Sequence, residues 1–182
     1  MLTFQANYLN SASIQRINIY KPCAEKVSFI EINPHSTSDV LAVNKTAINW
    51  DKNDGEGFAY DICRAINKGI KDRFFALTTQ KDDFERLDSE QILSLAQVKT
   101  ENEGEEFIEY LQVDPENTNS AENPQFMYIG TAMLDSLKQL FFNKNIELDS
   151  VKSAITFYLR NGFIDMGDSG GGERRMHWES LG

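Results

Sequence analysis

The fold is decided by residues 107–163, which read FIEYLQVDPENTNSAENPQFMYIGTAMLDSLKQLFFNKNIELDSVKSAITFYLRNGF. Alternating residues at its start predict a strand, and a polar loop then leads to apolar residues at helical spacing. A second strand and a short helix follow, and Asn161-Gly162 supplies a left-handed stop for that helix. This order of strand, phosphate-type turn, helix, strand and helix can hold a nucleotide-like cofactor and one reacting side chain.

The first strand of this stretch covers residues 106–113. Its alternation predicts that Phe107, Glu109, Leu111 and Val113 share one face. Asp114-Pro115 ends the strand, and the polar loop over residues 116–126 is long for such a connection. In the later part of the stretch, residues 145–148 predict a strand, with Asp149-Ser150 as the cap of the short helix.

The central helix carries a glycine, Gly130, in its first turn. Glycine disfavours a helix by about 1 kcal/mol relative to alanine, so its presence needs a reason. One reason is purely structural, and the other is close approach of a ligand to the backbone. Because helix N-termini carry unpaired N–H groups and a positive dipole end, they bind phosphate without any Lys or Arg.

The rest of the chain predicts strands over residues 27–32, 73–79 and 92–100, and helices over residues 40–50 and 58–70. Residues 1–26 suit an N-terminal arm or edge strands. Residues 51–57 predict a polar turn, and the charged residues 80–91 predict a hairpin loop. Since no repeat or boundary is evident, residues 1–182 are predicted to form a single domain.

The charge of the chain bears on its partners. The formal net charge is −10, from 18 basic and 28 acidic side chains. Because nucleic-acid binding needs clustered Lys and Arg against phosphates, we expect no nucleic-acid partner. Residues 100–137 contain no Lys or Arg but many carboxylates. This segment is either a solvated acidic face or an acidic rim that attracts a cationic substrate.

Other features bear on the compartment and on metals. No apolar run approaches the roughly 20 residues that cross a bilayer, and the N-terminus does not resemble a signal peptide. Cys23 and Cys63 lie far apart, so free thiols are favoured over a disulfide. With only His35 and His177, no His-rich metal site is expected. We therefore expect a cytoplasmic protein that binds neither membrane nor metal.

Three motifs in the deciding stretch occur together. They are Val113-Asp114-Pro115 at the strand end, Gly130-Thr131-Ala132 at the helix start, and AITFYLRNGF over residues 154–163. Together they resemble the GNAT superfamily of acyl-CoA-dependent N-acetyltransferases, and the tail segments FIDMG and RRMHWE look like its closing strands. The resemblance implies an α/β (α+β) fold with a mixed, mostly antiparallel central sheet, a splayed parallel strand pair and flanking helices.

The resemblance also implies acetyl-CoA as co-substrate and direct attack on it by a primary amine. The main chain of Leu111 and Val113 would pair with the pantetheine arm where the parallel strands splay, and Tyr158 would protonate the departing thiolate. The pyrophosphate would lie on the backbone amides of the helix start, which are those of Tyr128, Ile129, Gly130, Thr131 and Ala132.

The attacking amine must lose a proton, and a carboxylate is a suitable acceptor. Glu109 is the first candidate base because it is predicted to share a face with Leu111 and Val113. Glu106, Glu31 and a water chain are alternatives. On the acceptor side, where the helix over residues 58–70 is expected, the candidates for substrate contact are Trp50, Phe58 and Phe29.

Two positions depart from the family's pattern. Met127 stands where Gln or Arg is usual, and Val151 where Asn is frequent. A non-catalytic acyl-CoA sensor or interaction module on the same fold would tolerate both, and it is the alternative function. The acceptor itself is expected to be a small amine or a peptide or protein amine. Pairing of two copies through an edge strand, as a homodimer, is common in the resembled fold.

Overall fold

The structure is a computed structural model that describes residues 6–17, 23–50, 57–102, 104–118 and 121–180. Its helices and strands are numbered in chain order as β1 Asn7–Arg16, β2 Cys23–Ile32, α1 Thr37–Trp50, α2 Phe58–Asn67, β3 Arg73–Thr78, β4 Ile92–Asn102, β5 Glu105–Val113, β6 Phe126–Met127, α3 Ile129–Leu140, β7 Asn145–Ser150, α4 Ile155–Arg160, β8 Ile164–Gly170 and β9 Glu173–Trp178. Short 3-10 turns lie at Pro115–Asn117 and Lys152–Ala154.

The strands form one 9-stranded sheet in the order β6-β1-β2-β3-β4-β5-β7-β9-β8. β5 and β7 are parallel, because α3 carries the chain from the end of β5 back to the start of β7. Every other neighbouring pair in the described sheet is antiparallel. The predicted fold class, a mostly antiparallel sheet with one parallel pair and flanking helices, is confirmed.

The core is divided between the two faces of the sheet. On one face α3 packs its apolar stripe, including Met133 and Leu137, against the sheet. On the other face α1 and α2 pack residues such as Ala47 and Ile62. The central strand β3 is buried on both faces and is correspondingly apolar on both, which is why its residues 74–77 read FFAL.

Several boundaries differ from the predictions. Asp149 and Ser150 extend β7 instead of capping a helix, because they pair with Arg175 and Arg174 of β9. The N-terminal strand β1 lies between β2 and the two-residue β6, next to the sheet edge. Residues 1–5 and 18–22 of the predicted arm, and residues 51–56 of the predicted polar turn, lie outside the described residues. In the described part of the chain, no helix has the length and apolarity needed to span a membrane.

Candidate functional site

β5 and β7 pair over a short length and then separate. Their parallel register begins with Glu105 opposite Asn145 and ends with Ile108 opposite Leu148. In the described sheet β5 then continues to Val113 along β4 alone, while β7 continues along β9. The sheet is therefore open between these two strands beyond Ile108, and this opening is called the gap below.

A β-bulge marks the point where the strands part. Val98 of β4 lies opposite Ile108, but the preceding residue Gln97 lies opposite Tyr110, so Glu109 has no partner across the ladder. A bulge of this kind bends its strand and increases the local twist. We attribute the separation of β5 from β7 to this extra residue.

The bulge also changes which side chains share a face. Ile108, Leu111 and Val113 all pack toward the core beneath α3. Phe107 and Glu109 are on the other face, where Lys99 lies over the Phe107 ring and forms an ion pair with Glu109. The prediction that Phe107, Glu109, Leu111 and Val113 share one face is therefore wrong, because uniform alternation does not continue through a bulge.

One backbone edge of β5 faces the gap. Asp114 N–H donates to the carbonyl oxygen of Leu93 at 2.9 Å. Asp114 and Leu93, which lie opposite each other across the β4–β5 ladder, are therefore a hydrogen-bonded pair. Because such pairs alternate along an antiparallel ladder, Gln112 bonds to β4, and Leu111 and Val113 direct their N–H and C=O groups into the gap. Among the described residues, no strand pairs with this edge.

The start of α3 offers unpaired donors near the same place. Ala132 N–H donates to the carbonyl oxygen of Tyr128 at 2.9 Å, so the Ala132 amide is already used. In the described structure the N–H groups of Tyr128, Ile129, Gly130 and Thr131 donate to no acceptor. The first turn also contains no acidic residue. Four amides and the positive dipole end therefore remain available to an anion.

Gly130 joins the helix start to β5 and α4. A Cβ on Gly130 would lie 3.0 Å from Cζ of Phe157 and 3.5 Å from Cγ2 of Val113. The group that approaches the Gly130 backbone closely is thus the Phe157 ring. Of the two reasons open for this glycine, the structure supports packing, while its amide stays free.

Tyr158 lies on α4, beside Phe157. Its ring meets those of Phe157 and Phe163 edge-on, with centroids at 5.0 and 5.7 Å. Burial raises the pKa of Tyr158 to about 12. No described group forms a hydrogen bond with its hydroxyl. The phenol therefore keeps its proton at neutral pH, and that proton is not donated within the described structure.

Glu109 holds an ammonium group in this structure. Lys99 Nζ lies 3.0 Å from Oε2 of Glu109 and 2.9 Å from Oε1 of Glu101. Although partial burial lowers it, hydrogen bonds to the two carboxylates leave the pKa of Lys99 above its usual value. The position next to Glu109 is therefore one where a cationic amine is stable.

The two alternative carboxylates have structural partners elsewhere. Glu106 is 1% exposed, and it accepts hydrogen bonds from Lys144 and from the Thr100 hydroxyl. Glu31 is bound by Arg73 through contacts of 2.7 and 3.1 Å. In the sheet register Glu31 is three strands away from β5. Neither carboxylate borders the gap.

On the face covered by α2, an aromatic and acidic cluster borders β5. The rings of Phe58 and Tyr110 have centroids 5.4 Å apart. Burial raises the pKa of Tyr110, and the negative charges of Asp61, Glu109 and Glu173 raise it further, while the Arg64 guanidinium lowers it in part. Sequence patterns do not group Tyr110, Asp61 and Glu173, because these residues come from three distant elements. Of the carboxylates around Tyr110, only Glu109 lies in the acidic segment over residues 100–137.

The three candidates for substrate contact have different outcomes. Phe58 is 43% exposed and belongs to this cluster. Trp50 packs against the core beneath α1 and α2. Phe29 is 0% exposed and stacks on Phe75 inside the other core, so it is not available to a substrate and that prediction is wrong.

Comparison with known proteins supports the same fold. No protein-family model matches the chain, and no curated protein matches it. Solved structures do match. A protein from Lactobacillus plantarum assigned as an N-acetyltransferase aligns with a TM-score of 0.62 and 12% identity over 85% of this chain and 99% of its own.

Two further solved structures agree. The PaiA N-acetyltransferase from Thermoplasma acidophilum, solved in complex with coenzyme A, has a TM-score of 0.54 and 12% identity over 84% of this chain and 98% of its own. A GNAT-family protein from Desulfovibrio desulfuricans assigned as an acetyltransferase has a TM-score of 0.53 and 15% identity, over 83% and 96%. The chain therefore has the GNAT fold, as its motifs predicted.

Proposed function

We propose that this protein is an acyl-CoA-dependent N-acetyltransferase, which moves the acetyl group of acetyl-CoA to a primary amine by direct attack. The observation that carries the proposal is the gap between β5 and β7. It presents unpaired backbone groups at Leu111 and Val113, and the start of α3 with four unpaired amides lies beside it. Because unpaired backbone groups need a partner, an elongated amide-containing ligand with a phosphate end suits them.

In this proposal the chain's own groups hold each part of the co-substrate. Leu111 and Val113 bond to the pantetheine amides, as a further strand would. The amides of Tyr128, Ile129, Gly130 and Thr131 bind the pyrophosphate without a basic side chain, and Ala132 is left out because its N–H is used in α3. Acetyl-CoA supplies an acetyl group activated as a thioester.

Tyr158 is proposed as the proton donor to the departing thiolate. With a pKa of about 12 it is protonated throughout the physiological range. The pKa of a thiol is about 8.5, well below that of this phenol. The phenol therefore chiefly stabilises the developing sulfur charge by a hydrogen bond as the C–S bond breaks. Its packing against Phe157 fixes the ring relative to Gly130 and hence to the start of α3.

Glu109 is proposed to take the proton from the attacking amine, directly or through water. Its ion pair with Lys99 supports this role, because a protonated acceptor also presents an ammonium group. The carboxylate of Glu173 would attract the same cation, as would that of Asp61, which already lies 3.6 Å from Arg64. These features favour a cationic amine, either a small molecule or a peptide or protein amine.

The experiment is release of free thiol from acetyl-CoA in the presence of a panel of primary amines. Tyr158→Phe should lower kcat by about 10²- to 10⁴-fold with little change in the KM for acetyl-CoA. Tyr8→Phe is the matched control, because Tyr8 is 52% exposed on β1 and stacks on Phe84. Binding without turnover of any amine would favour the acyl-CoA sensor, and absence of coenzyme A binding would refute both functions.

A further inference from the structure

A shallow concave surface lies beside the start of α3, against β1 and β2. The space above it is about 490 Å³ and is largely open to solvent. Among the described residues, its lining carries no charged side chain and consists of Ser13, Ile14, Gln15, Cys23, Ala24 and Tyr128. This surface is called the hairpin depression below. Tyr128 belongs both to the depression and to the set of unpaired amides.

Folding does not explain the side chain at Tyr128. The residue is 60% exposed, and its side chain forms no capping hydrogen bond. Its backbone φ of 65° is in the left-handed region, which favours Gly and Asn over bulky residues. A large ring is therefore held in an unfavourable backbone conformation without being buried. Strained residues of this kind cluster at ligand-binding sites.

We infer that the Tyr128 ring and the hairpin depression bind the adenine base of coenzyme A. The inference rests on the proposed function, because a pyrophosphate on the amides at the start of α3 brings its attached adenosine next to this ring. Aromatic side chains stack on any nucleic-acid base, because every base has a π-face. Ser13 and Gln15 can pair with the polar edge of the base, and the uncharged lining suits a neutral heterocycle.

The test is calorimetric binding of coenzyme A and of phosphopantetheine, which keeps the pantetheine arm and one phosphate but lacks the adenosine. Tyr128→Gly should weaken coenzyme A binding by about 10- to 100-fold and leave phosphopantetheine binding within about twofold. Tyr128→Phe, which keeps the ring, should bind both ligands as the wild type does. Because glycine accepts a positive φ, Tyr128→Gly should melt at or above the wild-type temperature.

A second measurement uses the unmodified protein. Cys23 is exposed and lines the depression, whereas Cys63 is half-buried on α2 and hydrogen-bonded to Asn67. Acetyl-CoA, whose sulfur is blocked as a thioester and does not consume the reagent, should slow alkylation of Cys23 by iodoacetamide and should not change the rate at Cys63. S-acetyl-phosphopantetheine should protect neither thiol. Peptide mass spectrometry measures both rates.

The outcomes separate this inference from the proposed function. If Tyr128→Gly weakens coenzyme A and phosphopantetheine equally, or weakens neither, the ring does not bind the base, although the protein remains an acyl-CoA binder. Protection of Cys23 by S-acetyl-phosphopantetheine would also overturn the inference. If the wild-type protein binds neither ligand, the proposed function fails and this inference fails with it.

Discussion

Replacing Gly130 by alanine would place a methyl group 3.0 Å from Cζ and 3.3 Å from Cε2 of Phe157, and 3.5 Å from Cγ2 of Val113. Ordinary carbon contacts are about 3.5–4.0 Å, so the ring must move by a few tenths of an ångström. Overpacking of this kind costs about 1–3 kcal/mol, whereas alanine gains at most about 1 kcal/mol of helix propensity. We expect a net loss of about 1–2 kcal/mol in the free energy of unfolding.

Urea denaturation of Gly130→Ala, Phe157→Leu and the double variant measures this contact. In the Phe157→Leu background the alanine should cost at least about 0.5 kcal/mol less, because the obstructing ring is gone. Since Phe157 packs against Tyr158, turnover should fall with stability in the single variant. Equal or greater stability of Gly130→Ala, together with weaker coenzyme A binding, would refute the packing argument. It would indicate instead that the glycine allows a ligand to approach the backbone.

Three further predictions concern charged and titrating groups. Folding raises the pKa of Tyr158 from 10.0 to about 12. The ionisation of Tyr158 therefore leaves the free energy of unfolding unchanged below pH 10 and lowers it by about 2–3 kcal/mol as the pH rises through 12. Urea titrations should show this loss in Tyr8→Phe but not in Tyr158→Phe. Lys144→Met should destabilise by about 3 kcal/mol because it leaves the Glu106 carboxylate buried without its cation; adding Glu106→Gln should restore part of this, and no restoration would contradict the argument. Glu109→Gln should lower kcat by about 10²-fold with unchanged affinity for coenzyme A, and unchanged turnover would place the base elsewhere.

Much of the fold could be predicted from the order of elements. The presence of a strand at β5, the stripe of α3 and the stop at Gly162, where φ is 79°, depend on residues close together in sequence. The register of β4 against β5 could not be predicted in this way. Whether Glu109 is a regular strand residue or a bulge depends on how residues 97 and 98 of β4 pair with its neighbours Tyr110 and Ile108. The alternation of residues within β5 does not determine that pairing.

The candidate site divides in the same way. Tyr158 and the helix start lie in local motifs, so their existence was predicted. The ring that faces Gly130, the lysine that pairs with Glu109 and the carboxylates around Tyr110 come from other elements. Their contacts exist only once the sheet is assembled.

By itself, then, the sequence determined the GNAT-type succession of strand, helix, strand and helix, because periodicity and turn residues act over a few neighbours. Only the tertiary structure decided where β5 leaves β7, which face Glu109 occupies, and that Asp149 belongs to a strand. Each of these depends on pairing between segments far apart in the chain. Hydrogen-bond register and burial settle that pairing collectively, and no single segment encodes them.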